Sequence, residues 1–126
     1  MRDFKKILAW QKADDLVVAV YKATDSFPPA ERFGLTSQMR RAVVSVAANI
    51  AEGSGRETLL DFRHFLHIAR GSLQEVEYYI HLAGRLSFFS PETKQEVWEI
   101  CQETARILQG LINSINDQIS KGRKTN

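Results

Sequence analysis

The stretch from Gln38 to Arg56, QMRRAVVSVAANIAEGSGR, constrains the fold more than any other part of the chain. From Ala42 to Ala51 every residue is apolar or small except Ser45 and Asn49, and the only charges between Gly34 and Gly53 are Arg40, Arg41 and Glu52. A surface helix carries far more charge than this, so neighbouring elements must cover most of this one. At about 100° per residue, Leu35, Met39, Ala42, Val43, Val46 and Ile50 form a core-facing arc, and Gln38, Arg41, Ser45, Asn49 and Glu52 a polar stripe roughly 80° wide. The third arc, Ser37, Arg40, Val44, Ala47, Ala48 and Ala51, is small and nearly uncharged. Such a face suits close contact with a second copy of the chain, and a homo-oligomer is the expectation. The plainer alternative makes this helix merely the most central of its bundle.

Three further segments share the helical period. Breakers and caps place the four helices near 4–25, 29–53, 58–86 and 91–120, with an interruption of the second at Gly34 as an alternative. Ser26-Phe27-Pro28-Pro29 ends the first and opens the second, because proline cannot continue a helix but suits its first turn. Gly53-Ser54-Gly55 reads as a left-handed C-cap. Thr58 caps the third helix with Asp61 in its first turn, and Ser90-Pro91-Glu92 opens the fourth. Apolar positions recur at three and four residues: Ala13, Leu16, Val17, Val20 and Thr24, then Phe62, Phe65, Leu66, Ala69, Leu73, Val76, Ile80 and Ala83. The last set is Val97, Ile100, Cys101, Thr104, Leu108, Leu111, Ile115 and Ile119. No useful stretch alternates with period two. The expectation is all-α: an antiparallel up-down-up-down four-helix bundle, one domain over 1–126 with a short basic C-terminal tail. With 126 residues and 44% hydrophobic content, the chain is long enough for one core and too short for two. A lone cysteine, and an N-terminus without an apolar run of leader length, point to a reducing, cytoplasmic setting. No segment is apolar enough to span a membrane.

The chemistry is carried by two stripes. Gln38, Arg41, Ser45, Asn49 and Glu52, with Glu75 as a partner for Arg41, suit a structural polar network or interface that fixes helix register. Arg63, His67, Arg70, Gln74 and His81 lie within roughly 60° along about 27 Å of the third helix. With Arg40, Arg56, Lys121, Arg123 and Lys124 they could build a basic surface that tracks phosphates, although Glu77 interrupts the line and a charged helix face is often merely solvated. The net charge of +2 adds little by itself. Catalysis finds no support: His64 and His67 lack a third metal ligand, Cys101 sits on an apolar face, and Gly53-Ser54-Gly55-Arg56 lacks the strand and lysine of a phosphate loop. No catalytic residue, metal or cofactor is expected. Trp10, Trp98, Phe88 and Phe89 could stack bases but suit packing at helix ends.

Several segments carry a family resemblance: AWQKADDL and the Val20-Tyr21 pair, Phe27-Pro28-x-x-Glu31, GLTSQMRRA, SVAANIAEGSGR and IARGSLQEVEYY. Over nearly its whole length the chain resembles the S23, or 23S rRNA-intervening-sequence, four-helix bundle proteins, most specifically in the SxxxNIAEG segment. These are similar in turn to accessory proteins of diversity-generating retroelements, pentameric barrels that bind nucleic acid and a reverse transcriptase. The resemblance implies a homopentamer and maps onto Arg40, Arg41, Ser45, Asn49, Glu52, Gly53, Arg56, Gly71, Ser72 and Glu75, none with a catalytic job. The expected function is therefore a non-enzymatic homo-oligomeric bundle that binds structured RNA or DNA through phosphate contacts, with a nucleic-acid-processing protein as a further partner. The alternative is a protein-interaction scaffold without a nucleic-acid role.

Overall fold

A computed structural model describes residues 2–125, with side chains through residue 122. Its elements are a 3-10 turn at Phe4–Lys6, α1 (Leu8–Thr24), a second 3-10 turn at Pro29–Glu31, α2 (Leu35–Ser54), α3 (Leu59–Arg85) and α4 (Pro91–Thr125). Each helix packs on its neighbours in the order α1, α2, α3, α4 and back to α1, with no diagonal packing among the described residues. Cross-helix pairs fix the directions. Thr24 meets Arg40 while Arg2 reaches Ser54, and Arg70 meets Gln109 while Arg63 meets Asn116. Ser45 meets Ser72 while Arg56 covers Phe65, and Lys12 meets Thr104 while Phe27 meets Phe89. In every pair one number falls as the other rises, so adjacent helices are antiparallel. Among the described residues no helix is long and apolar enough to cross a membrane.

The helices form where the apolar period demands, but their ends differ from expectation in four places. Ile7 is extended (φ −83°, ψ 118°), so the chain turns before α1 begins instead of running as one helix from residue 4. The second helix does not start at Pro29: one 3-10 turn forms there, and Gly34 (φ −108°, ψ −116°) separates it from α2. The Glu31 carboxylate then accepts from the Leu35 N–H at 3.1 Å, meeting one of the donors that a helix start leaves unmatched. At the other end of α2, Gly55 is right-handed (φ −85°, ψ −2°), not left-handed. The glycine that matters is Gly53, where a Cβ would stand 2.8 Å from Phe65 Cβ and 3.0 Å from the Phe62 ring. Close approach of α2 and α3, not an unusual backbone angle, calls for it. Finally, α4 runs beyond residue 120, aided by a Lys121–Asp117 pair at 3.3 Å one turn apart.

Thr58 and Ser90 cap as their positions imply, accepting from the Asp61 and Thr93 N–H groups, each at 3.1 Å. The core joins Leu16, Met39, Val43, Ile50, Phe62, Leu66, Leu73, Ile80 and Leu108, all but fully buried. On α4 Ile112 is buried, and Leu111 only partly. Phe27 wedges between Phe88 and Phe89, centroids 5.5 Å from each, and closes one end of the bundle.

Candidate nucleic-acid interface

Arg63, His67 and Arg70 lie on one side of α3, where α4 runs antiparallel beside it. Arg63 Nη1 donates to Asn116 Oδ1 at 3.0 Å; Arg70 Nη1 donates to Gln109 Oε1 at 3.0 Å, and its Nη2 lies 3.0 Å from His67 Nδ1. These partners orient the guanidiniums without cancelling their charge. Among the described residues, neither arginine has a carboxylate partner. Burial, then the guanidiniums of Arg70 and Arg63 and the His64 ring, hold His67 below the usual imidazole value. Its neutral form suits acceptance of the Arg70 hydrogen bond. Further along the same side, Glu77 accepts from Gln102 at 3.3 Å and ends the uninterrupted positive run.

The other arginines expected at this surface stand elsewhere, with their charges answered. Arg40 lies at the α1–α2 corner, donating to Thr24 Oγ1 at 2.9 Å, Tyr21 O at 3.3 Å and Asp25 Oδ1 at 3.1 Å. Arg56 pairs with Glu52 at 2.7 Å across one turn and covers the Phe65 ring at 4.7 Å. Lys121 is paired with Asp117, and Arg123 and Lys124 lie outside the residues whose side chains are described. Of the ten residues that the sequence gathers in one surface, the fold keeps Arg63, His67 and Arg70 together and places Arg40 and Arg56 on other faces. The sequence also misses Asn116 and Gln109, which ordinary α4 positions give no reason to single out.

The polar stripe of α2 is partly a network. Ser45 and Ser72 hydroxyls meet at 2.8 Å across the α2–α3 seam, and Asn49 Nδ2 donates to Ser45 O and Oγ at 2.8 and 3.0 Å. Gln38, Arg41 and Glu52 are exposed. The expected Arg41–Glu75 pair does not form. With Ser45 opposite Ser72, the position facing Arg41 is Val76, which points into the core, and Glu75 is turned about 100° away. Cys101 is buried, its thiol pushed up to about 12 by burial and then by the Glu77 charge, which removes it as a nucleophile near neutral pH. At the start of α2 an open cleft is lined by Tyr21, Arg32, Phe33, Ser37, Arg41 and Val44 among others. Phe33 is 88% exposed, a feature that helical period could not signal because the residue lies in the turn before α2.

The family model described as 23S rRNA-intervening sequence protein matches residues 5–110. Among solved structures, the chain is similar to a Bacteroides thetaiotaomicron protein of unknown function from the S23 ribosomal protein family: 23% identity, TM-score 0.77, covering 83% of this chain and 98% of that one. That likeness shows the four-helix fold. Among curated proteins, none matches.

Proposed function

This chain belongs to the 23S rRNA-intervening sequence protein family, and we propose that it is a non-enzymatic, homo-oligomeric module that binds RNA or DNA through phosphate contacts. The observation that carries this reading is the pairing of Arg63 and Arg70 with amides instead of carboxylates. Two oriented guanidiniums about 10 Å apart along α3 offer paired N–H donors to anionic oxygens. Phosphates supply such oxygens without regard to sequence, so affinity should fall steeply with salt and depend little on base order.

Assembly is supported by the outer side of α3. Ile68 and Tyr78 are exposed there, and Gly71 has nothing within 4 Å of where a Cβ would sit. Nothing within the chain explains a glycine in mid-helix at that point, whereas a second copy packed closely would. A pentamer is the expected closure, as the family resemblance implies. It would repeat the arginine stripe around a ring.

Titration of the protein with a structured RNA at low ionic strength tests the binding reading. Saturable binding with a strongly negative salt slope is expected, and absence of binding at low salt overturns it. Light scattering tests assembly: a multiple of 14.3 kDa is expected, and 14.3 kDa itself refutes the oligomer. Recovery of a protein partner that survives nuclease and high salt, from a chain with no affinity for RNA, would favour the interaction scaffold instead.

A further inference from the structure

The cleft at the start of α2 holds a cationic group that shares no residue with the α3–α4 stripe. It is an open depression of about 630 Å³ between the end of α1, the turn at Arg32-Phe33 and the first turns of α2. That size is ordinary for a small-ligand site.

Two aromatic rings reach the cleft, and their faces differ in availability. Tyr21 is covered by the Arg40 guanidinium at 4.6 Å, itself fixed by Thr24 and Asp25. Phe33 is 88% exposed, with the Arg32 guanidinium 5.4 Å from its centroid. The cations divide in the same way. Asp25 answers the charge of Arg40, whereas among the described residues Arg32 and Arg41 have no carboxylate partner. The nearby Glu31 carboxylate is engaged by the Leu35 N–H. The Ser37 hydroxyl lines the cleft, one turn before Arg41 and about 6 Å from it along α2. An open aromatic face and an unanswered guanidinium lining one cleft suit a ligand that is flat in one part and anionic in another.

We propose that this cleft binds an unpaired nucleotide, its base stacked on Phe33 beside Arg32 and its phosphate held by Arg41, with the Ser37 hydroxyl donating. Every base has a π-face, so stacking on Phe33 tolerates any of them. The guanidinium of Arg41 matches phosphate oxygens two at a time. A free nucleotide and the end or loop of a single strand share this chemistry. The site stands apart from Arg63 and Arg70, so the two readings fail separately.

The test uses the full chain titrated by calorimetry with adenosine 5′-monophosphate, adenosine and a short single-stranded oligoadenylate. Saturable binding of the monophosphate is expected, with adenosine about tenfold weaker because it lacks the contact to Arg41. Phe33→Ala and Arg41→Gln should each weaken it about tenfold, while Lys6→Gln, in the exposed turn at the far end of α2, stays within about twofold. Tighter binding of the oligoadenylate, still dependent on Phe33, identifies a strand as the source; equal binding identifies the free nucleotide. Failure of the monophosphate and the oligoadenylate to bind in the millimolar range overturns the proposal, as does binding indifferent to Phe33→Ala. Light scattering on Phe33→Ala guards against the other occupant: a loss of assembly assigns the ring to a contact between copies and overturns the site. Because Phe33 is so exposed, Phe33→Ala is expected to melt at the wild-type temperature.

Discussion

Arg40 at the α1–α2 corner and Arg63 and Arg70 beside α4 are half-buried arginines on the same bundle, yet they end in opposite electrostatic states. Arg40 meets an aspartate, a buried threonine hydroxyl and a carbonyl; Arg63 and Arg70 meet asparagine, glutamine and a neutral histidine. The first arrangement consumes charge to tie α1 to α2. The second holds charge in place and leaves it available. What a cation is for depends on what the neighbouring helix sets opposite it.

The contrast can be broken most directly by removing the available charges. An Arg63→Ala, Arg70→Ala double variant should lose about 2 kcal/mol of RNA affinity at low salt, roughly thirtyfold, with a salt slope shallower by about two, read by fluorescence anisotropy across a salt series. Arg40→Ala should do the reverse. Chemical denaturation should find it about 1–2 kcal/mol less stable, since the Thr24 hydroxyl and the Tyr21 carbonyl lose a donor, while RNA affinity stays within about twofold.

A subtler variant leaves every arginine in place and converts one corner into the other. Asn116→Asp would give Arg63 the kind of partner that Arg40 has in Asp25, and RNA binding should weaken by about threefold to tenfold through neutralisation alone. Unchanged affinity would mean that Arg63 contributes no charge to binding.

The smallest effect is one of pH. His67 is held below the usual imidazole value of 6.5, so it is neutral at pH 7 and takes up its proton only as the pH falls below that value. Phosphate favours the protonated ring, and RNA affinity should therefore rise a few-fold in this acidic window, with His67→Gln flattening the rise. In the absence of RNA the same depression has the opposite sign for stability. The unfolded chain binds the proton more readily, so the contribution from His67 is present above pH 6.5 and is lost as the pH falls toward its lowered value.

Much of the fold was legible because a bundle is written in local terms. The apolar spacing from Phe62 to Ala83, the caps at Thr58 and Ser90, and the proline block at Pro28-Pro29 act within a few residues of themselves. The departures came where something distant intervened. Gly53 is explained by the Phe65 and Phe62 side chains of α3, not by its own backbone, and Ile112 is fully buried while Leu111, the expected core residue, packs against the core only partly buried. Of the basic residues, Arg63, His67 and Arg70 were readable as one line because they share a helix face. Arg40 and Arg56 looked equivalent to them, since a residue type carries no record of the carboxylate that will meet it. The exposed ring of Phe33 was hidden because a turn residue belongs to no period.

The sequence by itself determined four helices, most of their core faces, and which polar residues align along each one, because helix periodicity is a property of neighbouring residues on one chain. The tertiary structure alone decided which charges survive. A guanidinium is answered or left open by groups at 3 Å in space that lie 15, 39 or 53 residues away in sequence, and only the packing of one helix against another sets those encounters.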